Sequence, residues 1–104
     1  MAELVRIYWR DIPSQVIAKA GRRSAKVMLP ERFQQAIDRA AMRAGRGSSE
    51  AYMADWRRER DRCDGEALET AAERAAAELV AAFDETRLEA LVKAKGRRAG
   101  PADG

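Results

Sequence analysis

The sequence predicts an α+β domain in which a three-stranded antiparallel meander is followed by three to four helices in a two-layer arrangement. Three observations predict it. Residues 3–29 carry period-two runs punctuated by two turn signals, a Leu-Pro-Glu step at residues 29–31 switches the pattern to a helical period, and residues 66–95 contain neither Pro nor an internal Gly.

From Glu3 to Arg10, Val5, Ile7 and Trp9 alternate with Leu4, Arg6, Tyr8 and Arg10, which predicts a half-buried first strand whose apolar face is Val5-Ile7-Trp9. Asp11-Ile12-Pro13-Ser14 supplies a turn, because Pro13 fixes its own φ and pushes Ile12 towards extended geometry. Gln15 to Ala20 returns as a second strand. Gly21, Arg22 and Arg23 turn the chain into a third strand, Ser24 to Leu29.

Pro30 at the first helical position loses no needed hydrogen bond, and Glu31 complements the helix dipole. Phe33, Ala36, Ile37, Ala40, Ala41 and Ala44 then form one helical stripe, which Gly45 stops. Ser48 or Ser49 is the N-cap expected for a second helix, with Glu50 in its first turn. That helix is expected to carry Tyr52 and Trp56, to continue through the charged residues 57–62, and to end at Asp64-Gly65.

Glu66 to Lys95 is rich in Ala, Glu and Leu and strongly helical by propensity. As one rod it would span about 45 Å, against a radius of gyration of about 13 Å for a domain of this size. Either it breaks at Asp84, an internal N-cap after Phe83, to give a short last helix edged by Leu88, Leu91 and Val92, or it projects and offers a Leu68-Ala72-Ala75-Leu79-Phe83 stripe to another chain. One domain over residues 1–95 and a disordered tail over 96–104 complete the expected organisation.

The chain has no His and one cysteine, Cys63, which excludes an intrachain disulfide, Cys/His zinc sites and His-based dyads or triads. No catalytic, metal or cofactor-binding constellation is visible, so the expectation is a protein that is not an enzyme and holds no cofactor. Cys63 is read as incidental. Trp9 and Trp56, each in phase with apolar neighbours, are read as core residues. No apolar run is long enough to span a membrane and no export-type segment opens the chain, so a cytoplasmic location is expected.

Charge is separated along the chain. Residues 1–28 hold six basic and two acidic residues, whereas residues 65–95 hold four basic and seven acidic ones. A basic β end and an acidic helical end permit contact with an anionic partner at the former. Lys19, Arg22, Arg23 and Lys26 cluster on the second hairpin, and together with Arg10 they are the candidate contact residues for an anion or a partner.

Arg23 to Trp56 resembles the ribbon-helix-helix pattern of small dimeric DNA-binding proteins: a basic strand ending in Leu-Pro, an amphipathic helix, a Gly-containing turn and a Ser-capped helix. That resemblance implies a strand paired with its twin and either Arg23, Ala25, Val27 or Ser24, Lys26, Met28 facing the major groove. Asp55 departs from the pattern, standing where the second helix of such proteins is apolar.

A second resemblance covers nearly the whole chain. The succession YWRDIPSQV, GRRSAKVMLPERFQQAID, AMRAG and AYMADW, followed by an acidic helical end, is similar to the small bacterial family labelled "virulence factor". The label names a phenotype, so no catalytic residue comes with it. Related domains are joined to an iron-sulfur scaffold-like domain and helical repeats, and stand-alone members accompany folate and corrinoid one-carbon proteins. The missing catalytic constellation, the separated charge and a helix too long for the body lead to the expectation of a non-enzymatic accessory domain that binds a partner protein through its basic hairpin, its long acidic helix or both. The family resemblance implies a link to folate and corrinoid one-carbon metabolism, and ribbon-helix-helix DNA binding is the alternative.

Overall fold

The computed structural model describes residues 2–46 and 48–97. Its elements run β1 (Glu3–Trp9), β2 (Ile12–Ala20), β3 (Arg23–Met28), α1 (Glu31–Arg43), α2 (Ser49–Ala54), β4 (Trp56–Arg62), α3 (Leu68–Ala82) and α4 (Glu85–Lys93). The class is α+β as expected, but the sheet has four antiparallel strands, ordered β3-β2-β1-β4.

The fourth strand replaces most of the expected second helix. Ser48 does cap α2, its hydroxyl accepting from Ala51 N at 3.4 Å, but the helix ends after six residues. Residues 56–62 instead pair with β1 from Trp9↔Trp56 to Glu3↔Arg62. Helix propensity of Arg and Glu amounts to tenths of a kcal/mol per residue. A central strand with one bare edge leaves a row of backbone donors and acceptors unpaired, a larger penalty that β4 removes.

The register also corrects the orientation of β1. Cross-strand neighbours Ala25, Ala18 and Leu4 share one face, as do Val27 and Val16. These residues join Phe33, Ile37, Ala72 and Leu79 in the core, whereas Val5 and Ile7 lie on the opposite face. The register between β1 and β2 shifts after Ile7, where Ser14 is the extra residue of β2, while β1 and β4 pair without a break. Trp9 is fully buried in the core beyond that shift.

Pro30 is the N-cap of α1 and the helix proper starts at Glu31, one residue later than expected. Phe33, Ala36, Ile37, Ala40 and Ala41 are its buried stripe. Gly45, at φ +71°, ends the helix: its N–H donates to Met42 O at 3.1 Å and that of Arg46 to Ala41 O at 2.8 Å, the paired bonds of a Schellman turn.

The acidic helical segment breaks where the Asp84 carboxylate accepts from Arg87 N at 2.8 Å. α4 folds back and packs on α1, where Arg39 clasps Glu89 through two hydrogen bonds of 3.0 and 3.1 Å. The projecting rod is therefore not formed. Leu88, Leu91 and Val92 are buried as the apolar edge of α4. The first two residues of the expected tail are engaged, since Asp11 N donates to Gly96 O at 2.8 Å and Arg97 faces Asp55; the rest, 98–104, lies outside the described residues.

Candidate functional site

The sheet has one face covered by helices and one left open. α3 packs on β2 and β3, and α1 on β2. The opposite face is built from three cross-strand rows: Ser24-Lys19-Glu3-Arg62, Lys26-Ile17-Val5-Arg60, and Met28-Gln15-Ile7-Arg58. Five cations, Lys19, Lys26, Arg58, Arg60 and Arg62, therefore share a face with Glu3 as its one acidic row member. Between them runs a strip of Val5, Ile7, Ile17 and Met28: Met28 is 57% exposed, Ile7 and Ile17 are half-buried, and Val5 is buried beneath its neighbours.

Part of this charge is spent locally. Glu3 accepts from Arg60 at 2.9 Å and pairs with Lys19 at 3.7 Å, and Arg62 reaches Asp64 at 3.4 Å. Lys26 and Arg58 make no ion pair among the described residues and face solvent.

The five cations expected from the sequence are divided by this geometry. Lys19 and Lys26 meet on the open face. Arg23 falls in the alternate phase of β3, towards the helical side, and Arg22 sits at the tip of the turn. Arg10 is a structural residue. Its backbone is left-handed (φ +53°), its side chain is 11% exposed, Nε donates to Asp55 Oδ2 at 3.1 Å and Nη1 to Lys95 O at 2.8 Å. Arg46 Nε donates to the same Asp55 oxygen at 3.0 Å. Those hydrogen bonds, from Arg46 first and then Arg10, hold the Asp55 carboxyl below its usual range against the opposing effect of burial.

Arg58, Arg60 and Arg62 are the contributors missed by reading residues 57–62 as helix. The signal that reveals them is period two: cations at 58, 60 and 62 alternate with Arg57, Glu59 and Asp61. The intervening set lies on the other face, where Arg57 bonds Asp11 at 3.1 Å and Glu59 at 2.6 Å and stands 4.4 Å from the centre of the Tyr8 ring. Burial, followed by the Glu59 charge, raises the Tyr8 phenol above its ordinary pKa.

At one end the open face is walled by aromatic groups. Trp9 Nε1 donates to Tyr52 O at 2.9 Å, the Trp9 and Tyr52 rings stack at 6.0 Å, and Trp56 meets Tyr52 edge-on at 5.6 Å. Trp9 is core, as expected, although Val5 and Ile7, the residues it was grouped with, are not part of that cluster, while Trp56 is only partly buried and opens β4 rather than riding on a helix. Cys63 is 4% exposed, and burial together with Glu66 and Asp64 raises its thiol pKa, which keeps it protonated.

The ribbon-helix-helix layout is not formed. β3 is paired within the chain to β2, α2 has six residues, and the segment after it is a strand. No helix of the described residues is long and apolar enough to cross a membrane.

Neither the curated proteins nor the solved structures include a match to this chain. A family model described as "Virulence factor" matches residues 7–92. The match starts inside β1, ends inside α4 and includes the open face's β2, β3 and β4. With that model spanning most of its length, the chain belongs to the Virulence factor family.

Proposed function

We propose that this domain is a non-enzymatic accessory module that docks an acidic partner protein on the open face of its sheet. The observation that carries the reading is the face itself: a partly buried aliphatic strip framed by five cations, against which only α2, at the aromatic end, stands among the helices of the described residues. An apolar centre within a charged rim is the anatomy of a protein interface. Unpaired rim cations steer an anionic partner towards it. The strip is aliphatic and the rings of Tyr52 and Trp56 stand only at its end, so the face offers no run of stacking platforms for successive bases, which favours protein over single-stranded nucleic acid. The buried, protonated Cys63 and the lack of His support an accessory role. Folate- and corrinoid-carrying one-carbon proteins, which the family resemblance nominates, are the first partners to test. The folded-back α4 removes the long helix as a second docking element.

The test is photocrosslinking in cells, with a benzophenone amino acid at Met28 on the open face and a control at Arg39 on α1. The reading expects a protein adduct from Met28 only, lost in a Lys26→Glu/Arg58→Glu background. A nucleic-acid adduct would replace it with the nucleic-acid reading, and turnover of a small molecule by the purified protein would end the accessory role.

A further inference from the structure

At the aromatic end of the open face lies a cleft of about 390 Å³, lined by Ile7, Gln15, Tyr52, Met53, Trp56 and Arg58, with Arg57, whose side chain is paired to Asp11 and Glu59, at its edge. Its walls are mostly apolar. Met53, 65% exposed, lies at the rim. Its thioether is the adaptable kind of surface that accommodates aromatic rings. The size lies in the range of pockets that enclose one small organic group.

Two polar features make this more than an apolar dent. Gln15 Oε1 is closed off from solvent and accepts no hydrogen bond. A buried carbonyl without a donor is costly, and such groups call for an explanation. Gln15 lines the cleft, and the terminal torsion of a glutamine is soft, so its amide can turn to meet a donor bound there. Arg58 is a cation without an ion-pair partner among the described residues, standing beside Ile7 in the register. The site thus wants three things together: a flat apolar body, a hydrogen-bond donor on it, and an anion beside it.

Resting on the docking reading above, we propose that this cleft is its anchor pocket and receives a single tryptophan side chain of the acidic partner. The indole N–H donates to Gln15 Oε1, the rings of Tyr52 and Trp56 enclose the indole, and a carboxylate next to the tryptophan in the partner pairs with Arg58. A leucine or phenylalanine fills the space but leaves Gln15 unsatisfied. A tyrosine brings a donor on a longer axis, while the indole carries one at the edge of its body. Anchors of this kind, aromatic and seated in a desolvated pocket, dominate interface affinity.

The test uses short synthetic peptides titrated into the isotope-labelled protein and followed by NMR. One is a Glu-rich peptide with a central tryptophan. The second replaces the tryptophan with its benzothienyl isostere, which has the same shape and no donor. The third replaces it with alanine, and the fourth keeps the tryptophan but exchanges each Glu for Gln. The expected result is shifts at Gln15, Tyr52 and Trp56, with roughly tenfold weaker binding of the isostere, the size of one hydrogen bond to a buried acceptor. Gln15→Met should bind tryptophan and isostere equally. Equal binding of the first three peptides by the wild-type protein, with shifts spread along Lys26, Ile17 and Arg60, would overturn the anchor while leaving the docking face standing. Absence of shifts anywhere on the open face with the acidic peptides would overturn both. Binding of the Gln-exchanged peptide as tightly as the acidic one would remove Arg58 from the site and overturn the proposal as stated.

Discussion

Gly96 is fitted against the Trp9 ring so closely that a Cβ at that position would stand 2.7 Å from Trp9 Cζ3. Its backbone adds a second constraint, φ +85°, and its N–H donates to Leu91 O at 2.7 Å to close the end of α4. Gly96→Ala is expected to destabilise by about 1–3 kcal/mol, the usual cost of forcing atoms into a filled site. Thermal unfolding of the purified variant checks this, and unchanged stability would show that the contact relaxes freely.

Asp55 joins three parts of the chain, accepting from Arg10 and Arg46 and facing Arg97 at 4.0 Å. Asp55→Asn should cost about 1.5–3 kcal/mol at neutral pH, the range for hydrogen bonds to a charged group. The sign follows from the lowered native pKa: the carboxylate's contribution is complete above its unfolded value, near pH 4, and disappears as pH falls through the native value. The difference in urea midpoint between the two proteins should therefore hold steady from pH 7 down to about pH 4 and narrow only as the pH falls further.

Asp84 separates α3 from α4. Replacing its carboxylate by a methyl, Asp84→Ala, is expected to remove about 1 kcal/mol, whereas Asp84→Asn should retain most of that cap. Equal losses in the two variants, measured by urea denaturation, would show that the corner is held by packing of Phe83 and Leu88 instead.

The open face should tolerate charge reversal. Lys26→Glu and Arg58→Glu remove no ion pair among the described residues, so each should change stability by no more than about 0.5 kcal/mol. A larger loss by thermal melting would mark these residues as structural and remove the reason for regarding them as reserved for a partner.

Cys63 should resist alkylation in the folded protein, because the thiol is buried and held protonated by its surroundings. Labelling with iodoacetamide at pH 8 should be slow in buffer and rapid in urea. Fast labelling of the native protein would indicate frequent opening of the β4–α3 connection.

The first three strands and the α1 stripe with its Gly45 stop were legible in the sequence because they rest on local chemistry, a period or a forced φ, although Ile12 to Ser14, expected in a turn, open β2; the caps at Ser48 and Asp84 were each one of two readings the sequence left open. β4 was not, since a run such as Arg57-Arg58-Glu59-Arg60 has good helix propensity and becomes a strand only beside the vacant edge of β1. The same blind spot hid half of the candidate site. Lys19 and Lys26 were found from their hairpin, but Arg58, Arg60 and Arg62 join them only through pairing with a strand far away in the chain. The bonding of Arg10 was hidden for a related reason, because its counter-charge, Asp55, is remote in sequence. The core face of β1 was read in the wrong phase: Val5 and Ile7 are as apolar as Leu4, and only the position of the helices decides which side is inside.

The central place of β1 makes synthesis order matter. Within the domain this strand leaves the ribosome before the other elements, and β2 can zip onto one edge at once. Its other edge must wait until β4 has been made, because the partners run from Trp9–Trp56 back to Glu3–Arg62. Pairings this distant slow folding, since the loop must close before its contacts repay the entropy. Until then the nascent meander presents a bare strand edge, the surface most prone to pairing with a wrong chain. The dense charge of β4 suits it to be the late arrival: Arg and Glu at alternate positions keep the segment hydrated while it waits, and once docked they make the finished sheet's outer border a poor template for further strands.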